Sequence, residues 1–179
     1  MDTDSFAVPY TELLLQAIAS KGKTKTLFAG QSMSPLIKSG DHLLIEKKDP
    51  ARLNTGEIIA YKRGRKIVVH RIIKILGEGE RRSYITKGDN SLWPDLQAVR
   101  KEGVAGVVTG IFPRGDSSGN TVIKAGLIPK IYVIIGLISL HLKDRRRALP
   151  GSVRHAFFYA AKTSYAVLRN IISLCARGA

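Results

Sequence analysis

A serine held in a glycine-framed turn is the first residue of chemical interest: Gly30-Gln31-Ser32-Met33-Ser34-Pro35-Leu36-Ile37-Lys38-Ser39-Gly40-Asp41 lies between two strand-like runs. A serine hydroxyl is a poor nucleophile at neutral pH until a base takes its proton, so Ser32 needs a partner. His70 is the best candidate. It stands in Val68-Val69-His70-Arg71-Ile72-Ile73, where alternation along a strand groups it with Val68 and Ile72 on one face. A histidine acting as base has its other ring nitrogen fixed by an acceptor, and two carboxylates compete for that task. They are Asp89 in Lys87-Gly88-Asp89-Asn90 and Asp95 in Trp93-Pro94-Asp95, and the residue types alone do not choose between them. Met33, beside the serine, is read as substrate-binding through an apolar subsite, with a place in the core as the other reading. Asp41 after Gly40 suits a turn, and His42, His141 and His155 show no metal-ligand spacing, so neither metal nor cofactor is expected.

Four short segments in this order resemble the signal peptidase I superfamily, serine peptidases with a Ser-Met nucleophile box that include self-cleaving repressors. Gly30-Gln31-Ser32-Met33-Ser34-Pro35 with Gly40-Asp41 is similar to the nucleophile box, and Gly56-Glu57-Ile58-Ile59-Ala60-Tyr61 to the family's Gly-Asp/Glu-Ile-Val strand. Val69-His70-Arg71-Ile72 resembles the segment that carries the base, and Thr86-Lys87-Gly88-Asp89-Asn90 the Gly-Asp-Asn box. Bacterial signal peptidases and the repressors have lysine at the base position, whereas the archaeal and endoplasmic-reticulum type has histidine, as here. The resemblance therefore implies Ser32 as nucleophile, His70 as general base and Asp95 as the residue that orients it, with Asp89 in reserve. It further implies an endopeptidase that cleaves exported or leader-bearing polypeptides after a small residue. Histidine suits an open site, because its ordinary pKa near ~6.5 is poised for proton transfer while a lysine near ~10.4 must first be strongly desolvated.

Two features depart from the family. Gly30 stands where many signal peptidases carry a serine that helps hold the oxyanion, so that work falls to backbone N–H groups, including that of Ser32. True signal peptidases also have a membrane-spanning helix directly before the nucleophile box, whereas Pro9 to Lys21 is short and contains Glu12 and Gln16; any anchor is expected on the C-terminal side. A self-cleaving repressor is disfavoured, since only 31 residues precede Ser32 and the base is His70 rather than lysine. A non-catalytic module that keeps the peptidase fold and binds a membrane surface or nucleic acid is the alternative of another class.

The elements that must position these residues fall into three regions: an N-terminal helix over 1–23, a β domain over 24–124 and a basic helical region over 125–179. Pro9 opens the first helix, and Lys21-Gly22 closes it. Seven runs rich in Val, Ile, Leu and Thr follow: 24–29, 42–46, 57–61, 66–76, 82–87, 104–112 and 121–124. Their length and spacing predict a mainly β fold, a signal-peptidase-like antiparallel domain flanked by the N-terminal helix and two C-terminal helices. The first of those is an apolar run from Ile131 to Leu142 closed by Lys143-Asp144-Arg145-Arg146-Arg147, and the second covers Ser152 to Cys175 with a stripe of Arg154, Lys162 and Arg169.

The chain has 179 residues, 44% of them hydrophobic, and a net charge of +15, enough length for one ordinary core. Its one cysteine, Cys175, rules out an internal disulfide framework. Charge is uneven: residues 1–120 carry a net +6 and residues 121–179 a net +9. Aromatic residues among aliphatics in that basic tail fit a lipid interface better than a phosphate backbone, so no specific nucleic acid is expected. The partners expected are a polypeptide substrate and a membrane surface, or a short membrane segment, through residues 127–175. If that segment crosses, the basic cluster stays in the cytoplasm and the β domain lies on the extracytoplasmic face.

Overall fold

The computed structural model describes residues 7–115, 121–122, 127–148, 150, 153, 163 and 165–167. The first helix, α1 (Ala7–Lys21), buries Thr11, Leu14 and Ile18, positions three to four apart on one face. The Gly22 N–H closes it onto Ile18 O at 3.1 Å.

The Val/Ile/Leu/Thr runs become β1 (Lys23–Leu27), β2 (His42–Glu46), β3 (Ile58–Arg63), β4 (Lys66–Leu76), β5 (Ser83–Lys87), β6 (Val99–Arg100), β7 (Val104–Phe112) and β8 (Thr121–Val122). They form one antiparallel sheet ordered β1-β2-β7-β3-β4-β5-β6, with β8 on β7. The expected mainly β architecture is present. β2, β4 and β7 have the bounds read from the sequence, whereas β6, a two-residue strand, is too short to leave a periodic signal.

Two apolar layers sandwich the sheet. One packs Leu14 and Ile18 of α1 on Phe28, Met33, Ile37, Leu43, Ile45, Val69 and Val108; the other gathers Leu53, Ile59, Tyr61, Ile72, Tyr84 and Val107. β4 runs through the middle of this arrangement, pairing with β3 over Lys66 to Arg71 and, from Arg71 onward, with β5. Its first half therefore has no strand on the β5 side among the described residues, and β1 pairs with β2 on one side only. These two open edges, with the residues just after β1, share one groove of about 240 Å³, lined also by Tyr10, Thr11 and Leu14 of α1.

The C-terminal helix α2 (Leu127–Ala148) lies against β4, where a Cβ on Gly136 would come within 2.4 Å of Ile73 Cγ2. Tyr132, Ile135 and Ser139 are buried, whereas Ile134, Leu137 and Ile138 face outward. The basic cluster expected to close this helix continues it instead, as good helix-forming Lys and Arg suit the negative end of the helix dipole. No helix among the described residues is long and apolar enough to cross a membrane. Nearly all of the expected second helix, 152–175, lies outside the described residues; of it, 153, 163 and 165–167 are helical.

Candidate active site

Ser32 opens the turn between β1 and β2, and the turn is anchored from beneath. Met33 and Ile37 are fully buried, and Ile37 N–H donates to Met33 O at 3.0 Å. Met33 thus fills the core shared with α1 and offers no surface to a substrate. Its expected place in a subsite is corrected on that ground. Gly30 adopts φ 141°, a conformation that a serine would take only under strain, so backbone geometry accounts for glycine there. Asp41 shapes the far end of the turn, accepting from Lys38 N–H at 2.7 Å and Arg114 N–H at 3.2 Å.

The Gly88-Asp89-Asn90 loop after β5 grips this turn. Asn90 N–H donates to Ser32 O at 2.7 Å, and Asn90 Nδ2 donates to Gln31 O at 2.9 Å. Gly88 fills the narrowest point, since a Cβ there would lie 2.6 Å from Ser32 O, 2.7 Å from Ser91 Oγ and 3.1 Å from His70 Nε2. One small volume thus has the Ser32 turn on one side and the Nε2 edge of the imidazole on the other. No hydrogen bond joins Ser32 Oγ to His70.

His70 is buried on β4 opposite Ile59 of β3. Its Nδ1 lies 2.7 Å from Asp95 Oδ2, and because a carboxylate only accepts, Nδ1 carries the proton and Nε2 is left as the acceptor. Asp95 is held in place by its own N–H, donated to Thr86 O at 2.9 Å. Three further donors converge on its carboxylate: Thr86 Oγ1 at 2.6 Å, Tyr61 Oη at 3.1 Å and Arg63 Nη2 at 3.1 Å. Burial alone would raise the Asp95 carboxyl, but the hydrogen bond and charge of His70, the Thr86 hydroxyl and Arg63 outweigh it and hold the group at about 2. Burial and the Asp95 charge push the Tyr61 phenol well above its ordinary value, against Thr86 and Arg63, so it stays a neutral donor.

Asp89 is turned away from the histidine. It receives a bidentate pair from the fully buried Arg71, Nε to Oδ1 at 2.9 Å and Nη2 to Oδ2 at 2.6 Å, while Arg71 Nη1 donates to Gly56 O at 2.7 Å. Lys87 is buried beside this pair and donates to Tyr165 Oη at 2.8 Å; Tyr165 in turn donates to Asp89 O. Desolvation lowers the Lys87 ammonium to about 8, with Arg71 adding to the effect against the pull of Asp89 and Asp95. Tyr61, Arg63, Thr86 and Arg71 are site neighbours that sequence reasoning missed, because only the register of β3, β4 and β5 brings them together; Ser91, in the loop after β5, was missed as well.

This arrangement gathers a serine hydroxyl, a tautomerically fixed imidazole and a partly buried ionised carboxylate in one neighbourhood, the parts needed for proton-assisted nucleophilic attack. No protein-family model matches the chain. Similarity appears among curated proteins named signal peptidase complex catalytic subunit SEC11. The Metarhizium robertsii protein is 32% identical over 92 residues, 46% of this chain and 54% of its own length. That of Chaetomium globosum is 33% identical over 92 residues with the same coverage, and that of Candida tropicalis 29% identical over 109 residues, 55% of this chain and 65% of its own length. The chain spans about half the length of the first two. Over about half of its residues the chain is thus similar to catalytic subunits of signal peptidase complexes, the superfamily that its four sequence boxes resemble.

Proposed function

We propose that this chain is a serine endopeptidase of signal-peptidase type. Ser32 is the nucleophile, His70 the general base and Asp95 its orienter. The observation that carries the reading is the 2.7 Å contact between His70 Nδ1 and Asp95, with Nε2 and Ser32 O flanking the same point beside Gly88.

An extended polypeptide enters between the open edges of β1 and β4, its main chain pairing with both as an added strand. With the scissile carbonyl at Ser32, Oγ attacks the carbonyl carbon while Nε2 takes its proton. Asp95 stabilises the resulting imidazolium. The Ser32 N–H helps hold the oxyanion, since Gly30 supplies no side chain. Collapse breaks the C–N bond, and the imidazolium returns its proton to the leaving amine. Water, deprotonated by the same histidine, then hydrolyses the Ser32 ester. The preference for a small residue before the cut, and exported or leader-bearing substrates, follow from the family resemblance.

A membrane surface is the second partner. The outward residues Ile134, Leu137 and Ile138, together with the net +9 of residues 121–179, suit a helix lying on anionic lipid with the peptidase domain above it. Because α2 packs on the β domain, both lie on one face of the membrane, which on the family resemblance is the extracytoplasmic one.

A serine-reactive phosphonate probe tests the catalytic reading. Wild-type protein should label once, Ser32→Ala should not label, and His70→Ala should lose labelling and peptide cleavage together while still unfolding in one cooperative transition. Undiminished labelling of Ser32→Ala removes the assignment.

A further inference from the structure

The groove between the open edges has a wall that belongs to neither strand. α1 is tied to both of its banks. On the β1 side, Tyr10 Oη and Thr26 Oγ1 share a hydrogen bond of 2.5 Å. On the side of the β3–β4 hairpin, Thr11 Oγ1 donates to Arg65 O at 2.9 Å, and Glu12 pairs with Lys62 at 2.7 Å. Between these ties, Leu14 packs into the apolar layer and lines the groove together with Tyr10 and Thr11. Tyr10 is 54% exposed, so its ring is at once part of the groove lining and open to a ligand, unlike a residue spent entirely on packing.

A strand laid into this groove turns every second side chain toward the same face. Side chains directed toward α1 meet Tyr10 and Leu14; those directed the other way do not. The helix is fastened at both banks, so the depth on its side is fixed before substrate arrives.

We propose that Tyr10 and Leu14 of α1 are specificity-determining residues, limiting the α1-facing side chains of a bound extended peptide to small or short aliphatic ones. The inference rests on the peptidase reading for the groove's occupant and goes beyond it by assigning selectivity to the helix rather than to the strands that carry Ser32 and His70. The step is steric, and its size follows from apolar pocket discrimination, where one methylene is worth roughly 10- to 200-fold between competing substrates.

The test uses the full chain and a set of alanine-rich peptides that share one cleavage site and carry a single leucine at each position in turn. The kcat/KM of each leucine peptide is taken relative to the all-alanine parent. Leu14→Ala should raise that ratio about tenfold or more at alternate positions only, and Tyr10→Ala, a change at a half-exposed residue that spares the core, should raise it at an α1-facing position near the groove mouth. The same peptides, fluorescently labelled, are then bound to Ser32→Ala with and without each α1 substitution. Cleavage with ratios unmoved by both substitutions overturns the inference and leaves the peptidase reading standing. Binding ratios that shift as expected without cleavage by the wild type uphold the inference and overturn the peptidase reading. Absence of both binding and cleavage overturns both.

Discussion

Replacing Asp95 by Asn removes one negative charge from a carboxylate that faces four donors, from His70, Thr86, Tyr61 and Arg63. In the wild type the carboxyl is lowered from 3.8 to about 2 in the folded protein, a difference of nearly two pH units. Linkage converts this to about 2 kcal/mol of stability that is fully present above the unfolded value of 3.8 and lost as pH falls through about 2, because the unfolded chain binds the proton first. Asp95→Asn should therefore be less stable by about 2 kcal/mol at pH 6, and the gap should close as the pH approaches 2. Catalysis should suffer more. An amide can no longer fix the Nδ1–H tautomer or offset an imidazolium, and a substitution of this kind lowers kcat by about 10⁴-fold in hydrolases with the same Ser-His-Asp logic. Urea denaturation at pH 6 and pH 2.5 reads the first effect, and initial rates with a labelled peptide read the second. A variant that retains more than a tenth of the wild-type kcat, or a stability gap that does not narrow with acid, would refute the assignment of Asp95 as an ionised orienter.

Gly88→Ala places a methyl 2.6 Å from Ser32 O and 3.1 Å from His70 Nε2, so it should push the two apart and lower kcat by about 10²-fold or more with the fold retained, as read by phosphonate labelling alongside circular dichroism. Met33→Ala opens a hole in the core and should cost about 2–5 kcal/mol in urea denaturation, while the KM for peptides, measured well below the transition, stays within twofold. Lys87 binds its proton less tightly in the folded protein, near 8, than in the unfolded chain, near 10.5. Its contribution to stability therefore rises with pH between those values, and wild-type stability relative to Lys87→Met should climb across that window in denaturation series; a flat difference would show that Lys87 is not desolvated.

The strands were legible because alternation and β-branched runs report local burial directly, and β4 and β7 illustrate it. The choice between Asp95 and Asp89 was not. Both carboxylates follow the same strand, and the difference lies with Arg71, which takes Asp89 from the far side of β4 while His70 reaches Asp95. Tyr61 and Thr86 could be found only from register: Ile59 sits opposite His70, so Tyr61 shares its face two residues on, and Ile72 opposite Thr86 brings that hydroxyl to the same place. Met33 misled because a residue beside a nucleophile can point either into the groove or into the core, and chain position does not distinguish them. The apolar run at 131–142 was ambiguous for a related reason: a sheet and a lipid surface both accept Ile and Leu. Gly136 marks where α2 makes its close approach to Ile73.

The buried trio of Arg71, Lys87 and Asp89 has an implication for how the molecule can come apart. Two cations share one carboxylate, and both are faced by aromatic rings from the C-terminal region, Tyr132 at 5.1 Å from the Arg71 guanidinium and Tyr165 at 4.4 Å from the Lys87 ammonium. Shearing that region away would wet a positively charged pair at the root of the loop that holds Ser32. The β domain and the C-terminal helix are therefore expected to melt as one cooperative unit. A fragment ending after β8 would inherit the sheet with Ser32, His70 and Asp95 but lose the cover over the buried charges beneath them.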